Sequence, residues 1–336
     1  MIDSPSAFPH GYSSQQYVED LIAEHGSVHQ LASLLADRCG SSPESERKAI
    51  QRLRSGAAGG GAVQARLVKH FGVPQRICEW LKWMAQYHSR FADMPTDVCH
   101  AYVTLWDRAP VNVPSKNRVW ISLAKAQVAL RMRHLEDARA FLSHTRRDLK
   151  AAADPASGIE YGLCSAYLTS WDADGTTEAA YLDQVEAALS RSSLSIADRH
   201  CYHARWVDQT AYRAARIAPT QDTFADSLKR YEHISADTRI PFVDFRRAHG
   251  RATCLWKLGR TEEARVAAAE ATTHAGDGGY VRLRSMALKL QSLLWQEDPA
   301  RSAELMERSL VMATRVRDEE LLHRIRLIAH ASRAAD

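Results

Sequence analysis

The sequence predicts an all-α protein, a small N-terminal helical bundle followed by an array of helix pairs. Three observations predict it. Ala, Leu, Arg, Glu and Gln dominate, and alternating β-branched runs are missing. Apolar residues return at three- and four-residue spacing in one segment after another. Proline and glycine gather at a few points only: "SGAAGGG" (55–61), "APVNVP" (109–114), "DPASG" (154–158), "DADG" (172–175) and "AGDGG" (275–279). Helices must break there.

With 336 residues, 45% of them apolar and 25% charged, the chain has material for more than one folded part. The breaks divide it into a flexible N-terminus (1–14), a bundle (15–75), connecting helices (76–113) and a repeat domain (114–336). The net charge of +4 is too mild to specify a partner, so its location matters more than its size. Six cysteines (39, 78, 99, 164, 201, 254) are scattered without a CxxC pair, which argues against a zinc finger or a disulfide framework and for reduced packing thiols. No apolar run reaches the ~18 residues of a membrane span. The first residues also lack the basic-then-apolar pattern of a secretory leader. A cytoplasmic protein with no membrane partner is expected.

The bundle contains four helices. "QQYVEDLIAEHG" places Tyr17, Val18, Leu21 and Ile22 at helical spacing. "SVHQLASLLADRCG" starts on Ser27, a good N-cap, and buries Val28, Leu31, Leu34 and Leu35. The third helix, 43–54 within "SSPESERKAIQRLRSG", turns Ile50 and Leu53 inward and Arg47, Lys48, Gln51, Arg52 and Arg54 outward. "AVQARLVKHFGVP" closes the bundle with Val63, Leu67, Val68 and Phe71. Between residues 27 and 76 eight Lys and Arg face three acids, a surplus of five that exceeds the charge of the whole chain.

These residues resemble the lambda-repressor-like (XRE) helix-turn-helix family. "QLASLL" matches its first motif helix, "AIQRLRSG" its recognition helix and "LVKHFGVP" its closing helix. The resemblance covers about fifty residues and implies DNA binding. The candidate contacts are Ser27, His29 and Gln30 at the start of the first motif helix, and Arg47, Lys48, Gln51, Arg52 and Arg54 on the second. Arg and Gln can pair with guanine and adenine, while Lys suits phosphate. Nineteen positions separate Leu31 from Ile50, more than the family's tight motif spans. Residues around "DRCGSSPE" are therefore expected to extend one helix or the loop. The competing reading is a solvated face with Glu44 and Lys48 paired at i,i+4.

Beyond the connector, 117–133 followed by "LEDARAFLSHTRRDL" and 242–258 followed by "GRTEEARVAAAEATTHA" repeat one design. Each second helix opens with two acids, suited to a helix N-terminus, and an alanine. This resembles the tetratricopeptide repeat, with Ala126 and Ala252 in the first helices, Ala138 and Ala264 in the second, and Gly259 in a turn. Looser pairs follow the same plan at 158–191, 196–234 and 281–314, with a closing helix at 318–334. The resemblance implies an α-solenoid with a concave face for a peptide or protein ligand.

The remaining features are weaker. His200, Cys201 and His203 lie close together without companion ligands, and His144, His233 and His249 stand alone, so no metal or cofactor is expected. Trp80, Trp83, Trp106, Trp120, Trp171, Trp206, Trp256 and Trp295 read mostly as core wedges, some of which could line a groove with Tyr161, Tyr167 and Tyr212. No catalytic motif occurs, and no enzyme is expected. The layout resembles peptide-responsive transcriptional regulators, which implies a homodimer joined through the solenoid or the connector. The alternative is a protein-binding adaptor or antagonist that touches no DNA.

Overall fold

The computed structural model describes residues 12–57, 60–171, 175–236 and 238–333, with side chains through Ile328. Every regular element among them is a helix. The first four are α1 (Ser14–His25), α2 (Val28–Cys39), α3 (Pro43–Arg54) and α4 (Gly61–Phe71). The connector holds α5 (Gln75–Ala85), a 3-10 turn (Arg90–Asp93) and α6 (Thr96–Trp106). Then come α7 (Ser115–Arg131), α8 (Leu135–Ala152), α9 (Pro155–Thr169), α10 (Gly175–Arg191), α11 (Ile196–Ile217) and α12 (Gln221–Glu232). The last five are α13 (Pro241–Lys257), α14 (Thr261–Asp277), α15 (Val281–Leu294), α16 (Pro299–Arg315) and α17 (Glu319–Arg333). No described helix is long and apolar enough to cross a membrane.

Local chemistry accounts for the helix starts. Ser13 and Gln16 form a reciprocal capping box on α1. Ser27 caps α2, Asp154 caps α9, Ser195 caps α11 and Thr220 caps α12, each accepting a backbone N–H two or three residues on. Proline occupies the first turn of α3, α9, α13 and α16, where its missing N–H costs nothing. Residues 1–11 of the expected flexible N-terminus lie outside the described residues. Tyr12, by contrast, is buried, and its ring stacks on Trp106 with centroids 6.0 Å apart.

Helices α1 to α4 pack on one another around Tyr17, Leu21, Leu31, Leu35, Ile50 and Leu67, all fully buried. One expected core residue fails: Leu34 is 38% exposed, because Ala32, Leu35 and Ala36 take the inward face of α2 instead. The extra residues between Leu31 and Ile50 are absorbed by helix. α2 continues to Cys39, Gly40 takes a left-handed conformation at φ 66°, and only Ser41 and Ser42 remain before α3.

Beyond the connector, α7, α9, α11, α13 and α15 each pack against the helix that follows, and they also meet one another in order, α7 with α9, α9 with α11, α11 with α13 and α13 with α15. Ala126, Ala138, Ala252 and Ala264 are fully buried where these helices approach. The expected "DADG" break falls on 172–174, outside the described residues, and Gly175 opens α10. The row returns on itself, since α17 packs against both α16 and α7.

Residues 86–96 are bonded to the turns before α15 and α17 rather than spanning a gap. Arg90 Nη1 donates to Gly278 O (3.0 Å), Tyr280 OH to His88 O (3.2 Å) and the Arg282 N–H to Asp93 Oδ1 (2.8 Å). Thr96 donates to Val316 O through both its N–H and its hydroxyl. A single apolar cluster runs from Tyr12 through the connector to Tyr202, with no break at residue 75 or 113.

Candidate functional site

Helix α3 stands on Ile50 and Leu53, both buried, and presents its other faces to solvent. Lys48, Gln51 and Arg52 are exposed and lie one turn apart. The Arg52 guanidinium has no hydrogen-bond or ion-pair partner among the described residues, and the Lys48 ammonium has only a loose 3.7 Å approach to Glu44. Lys69 of α4 is likewise exposed and its ammonium has no partner among the described residues, whereas five other cations are engaged. Arg47 grips Glu44 with two hydrogen bonds of 3.0 and 2.8 Å, and Arg54 reaches Glu19 of α1 at 2.6 Å. Arg66 pairs with Glu46 at 2.7 Å, and Arg76 with Asp20. Arg38 donates to His70 O and lies over the Phe71 ring. On α2, His29 and Gln30 are exposed, while the N-cap Ser27 spends its oxygen accepting the Gln30 N–H. Glu46, buried between Ser41 Oγ (2.8 Å) and Arg66, is a bundle residue the helical pattern did not single out.

A second site lies inside the array. Helices α7, α9, α11, α12, α13, α15 and α17 surround a cavity of about 360 Å³, with Tyr87 of the connector on its wall. Six cations line it against two acids: Arg131, Arg205, Arg246, Arg282, Lys289 and Arg324 against Asp208 and Glu320. Around Tyr87 the charges are densely matched. Arg205 Nη1 meets Glu160 Oε2 at 2.6 Å with both groups buried, and Gln127 adds a 2.8 Å bond to the same carboxylate. Arg246 bridges Asp208 Oδ2 (2.8 Å) and Tyr87 OH (2.9 Å), while Tyr231 OH holds the other Asp208 oxygen at 3.0 Å. Arg205 and Arg282 lie over the Tyr87 ring at 4.9 and 4.7 Å. Burial raises the Tyr87 phenol, but Arg282 and Arg246 outweigh it and hold the phenol below its ordinary value.

Outside this knot the wall changes character. Lys289 has no hydrogen-bond or ion-pair partner among the described residues. Burial first, then the Arg324 charge, pushes its ammonium down to about 8. Arg324 is tied to Glu320 and donates to Tyr167 OH at 3.0 Å. Leu290, Leu293, Ala215, Phe224 and Trp256 supply apolar surface. Of the aromatic residues singled out in sequence, Trp256, Tyr167 and Tyr212 line the cavity, while Tyr161 packs instead against Tyr181. Trp80 and Trp83 stack on each other at 4.6 Å, and Trp106 and Trp120 are fully buried.

The cavity arginines were missed in sequence. The available signal was an arginine in the middle of an otherwise apolar inner face, as in "PFVDFRRAHG". Cys201 is buried in the core and His203 lies against Trp206. No group of three or more His, Cys, Asp or Glu among the described residues could hold a metal ion. No protein-family model matches the chain, and no curated protein matches it.

Proposed function

We propose that this chain is a cytoplasmic DNA-binding transcriptional regulator. Helices α2 and α3 form a lambda-repressor-like helix-turn-helix, and α7 to α17 form a tetratricopeptide-like solenoid that holds a ligand and mediates dimerisation. One observation carries the reading. After a three-residue turn, α3 rests on Ile50 and Leu53 and exposes Lys48, Gln51 and Arg52 on neighbouring turns. A helix so mounted fits a major groove, with Gln51 and Arg52 toward base edges and Lys48 toward phosphate. Arg47 and Arg54 can exchange their exposed carboxylate partners for phosphate, because surface pairs are weak.

Ligand control needs a physical link between the two sites. Tyr87, on the cavity wall, follows α5 by one residue, and α5 belongs to the same apolar cluster as the bundle. A ligand that binds one arrangement of α5 better than another shifts the population of DNA-competent molecules. The connector is largely covered by the array, so dimerisation would use the outer helices, where Val266 of α14 and Leu310 and Val311 of α16 are exposed.

The test is recovery of bound fragments from a digest of the source genome by the full chain at low and at physiological salt. Enrichment of discrete fragments that survives the higher salt is expected. Recovery of no fragments at either salt would leave the second reading, a protein-binding adaptor or antagonist. The engagement of Arg47, Arg54, Arg66 and Arg76 by acids of the bundle favours that alternative.

A further inference from the structure

The arginines around Tyr87 are held by Glu160, Asp208 and Asp318, so that end of the cavity is electrostatically settled. Lys289 is different. It is half-buried, faces the cavity, and its nearest charges are Arg324, of its own sign, and Glu320, which Arg324 already holds. A partly desolvated ammonium without a counter-ion is costly, and an anion in the cavity removes that cost. A second polar group also lacks a partner: Gln209 Oε1 lines the cavity and is buried without a hydrogen bond, and as an acceptor it would take an N–H or O–H of the ligand's body rather than its anionic head. The same cavity carries an apolar surface made by Ala215, Trp256, Leu290 and Leu293.

We propose that the cavity binds an amphiphilic organic monoanion, its acidic head on Lys289 beside Arg324 and its apolar body against Leu290, Leu293, Ala215 and Trp256. A volume of about 360 Å³ suits such a molecule. An extended peptide fits less well, because each backbone N–H and C=O it buries needs a partner. The chain has only two asparagines, Asn112 and Asn117, and neither lines the cavity. Of the two lining glutamines, Gln127 is already spent on Glu160 and Ala85 O. This inference rests on the array being the ligand-binding part and is independent of whether α3 touches DNA.

Two fluorescent probes with one body separate the terms. 8-Anilinonaphthalene-1-sulfonate carries the anionic head, and N-phenyl-1-naphthylamine lacks it. Titrated into the full folded chain, the sulfonate should bind once per chain and about tenfold or more tighter than the neutral amine, the worth of one charge-assisted contact. Lys289→Met should remove that preference and leave the neutral probe unchanged, and Lys289→Gln should do the same if the methionine variant folds poorly. Ala215→Trp, which fills the apolar side, should abolish both while the thermal transition persists.

Equal affinity for the two probes, sulfonate binding unchanged in the Lys289 variants, or no sulfonate binding would overturn the proposal. Displacement of the sulfonate by an acetylated, amidated tetra-alanine peptide would put a peptide there and overturn it too. DNA binding measured on the same samples keeps the readings apart. A chain that binds DNA but neither probe loses only its proposed ligand, and one that binds the sulfonate but no DNA keeps its ligand and loses the regulator.

Discussion

At the scale of single residues, the inner wall of the array is held by charges that have left water. Glu160 and Arg205 are 0% and 4% exposed. Breaking one side of such a pair leaves the other uncompensated, so Glu160→Gln should destabilise the fold by about 3–5 kcal/mol in urea unfolding. His249 contributes a pH dependence. Burial lowers its imidazolium to about 4, aided by Arg246 and Lys289 and opposed by Asp208. An unfolded histidine titrates near ~6.5. Between those values the unfolded chain binds the extra proton, so stability falls as pH falls from ~6.5 to about 4. His249→Gln should flatten that limb relative to the parent chain, read as urea midpoints across the range. These residues were hardly legible in the sequence. Ile50 and Leu53 could be placed inward from helical spacing, whereas the buried roles of Arg205 and Arg246 depend on carboxylates that arrive from other helices.

At the scale of elements, helix pairing was legible and turn geometry was not. Apolar spacing, acidic helix starts and Gly/Pro breaks mark the pairs because each is a local property of the chain. The turns from α8 to α9, α12 to α13, α14 to α15 and α16 to α17 each contain a left-handed residue: Ala153, Arg239, Gly279 and Arg317. Only one of the four is glycine, so the usual signal for that conformation is absent. Leu34 was misplaced for a related reason, since small Ala32 and Ala36 pack inward where a larger apolar residue was expected. Close approach matters again between α12 and α13. A Cβ on Gly250 would collide with the buried Tyr231 ring. Gly250→Ala should therefore cost about 1–3 kcal/mol, with the loss of α12 packing visible as faster amide exchange there.

At the scale of the whole molecule, the array closes because its last helix meets its first. Asp318 is the clasp. Its Oδ1 accepts the Leu321 N–H at the start of α17 (2.9 Å), and its Oδ2 lies 2.6 Å from Arg282 Nε and 3.4 Å from Arg131 Nε. Arg131 also donates to Met94 O (2.8 Å) and Val316 O (3.0 Å). One fully buried carboxylate thus joins α7, α15, α17 and, through Arg131, the connector. Asp318→Asn should raise amide exchange across α17 well before global unfolding. Closure was not legible in the sequence, since it depends on how rotations accumulate along the pairs.

The central claim, that α3 reads DNA, is tested most directly by salt titration of binding to a selected genomic fragment. The parent chain is compared with a variant carrying Lys48→Ala, Gln51→Ala and Arg52→Ala, all exposed positions whose loss should leave the bundle folded. The parent should bind with an affinity that falls steeply with salt, and the variant should bind more weakly with a salt slope smaller by about 1–2. A parent chain that shows no binding at low salt, or a folded variant that matches it in affinity and slope, would contradict the account.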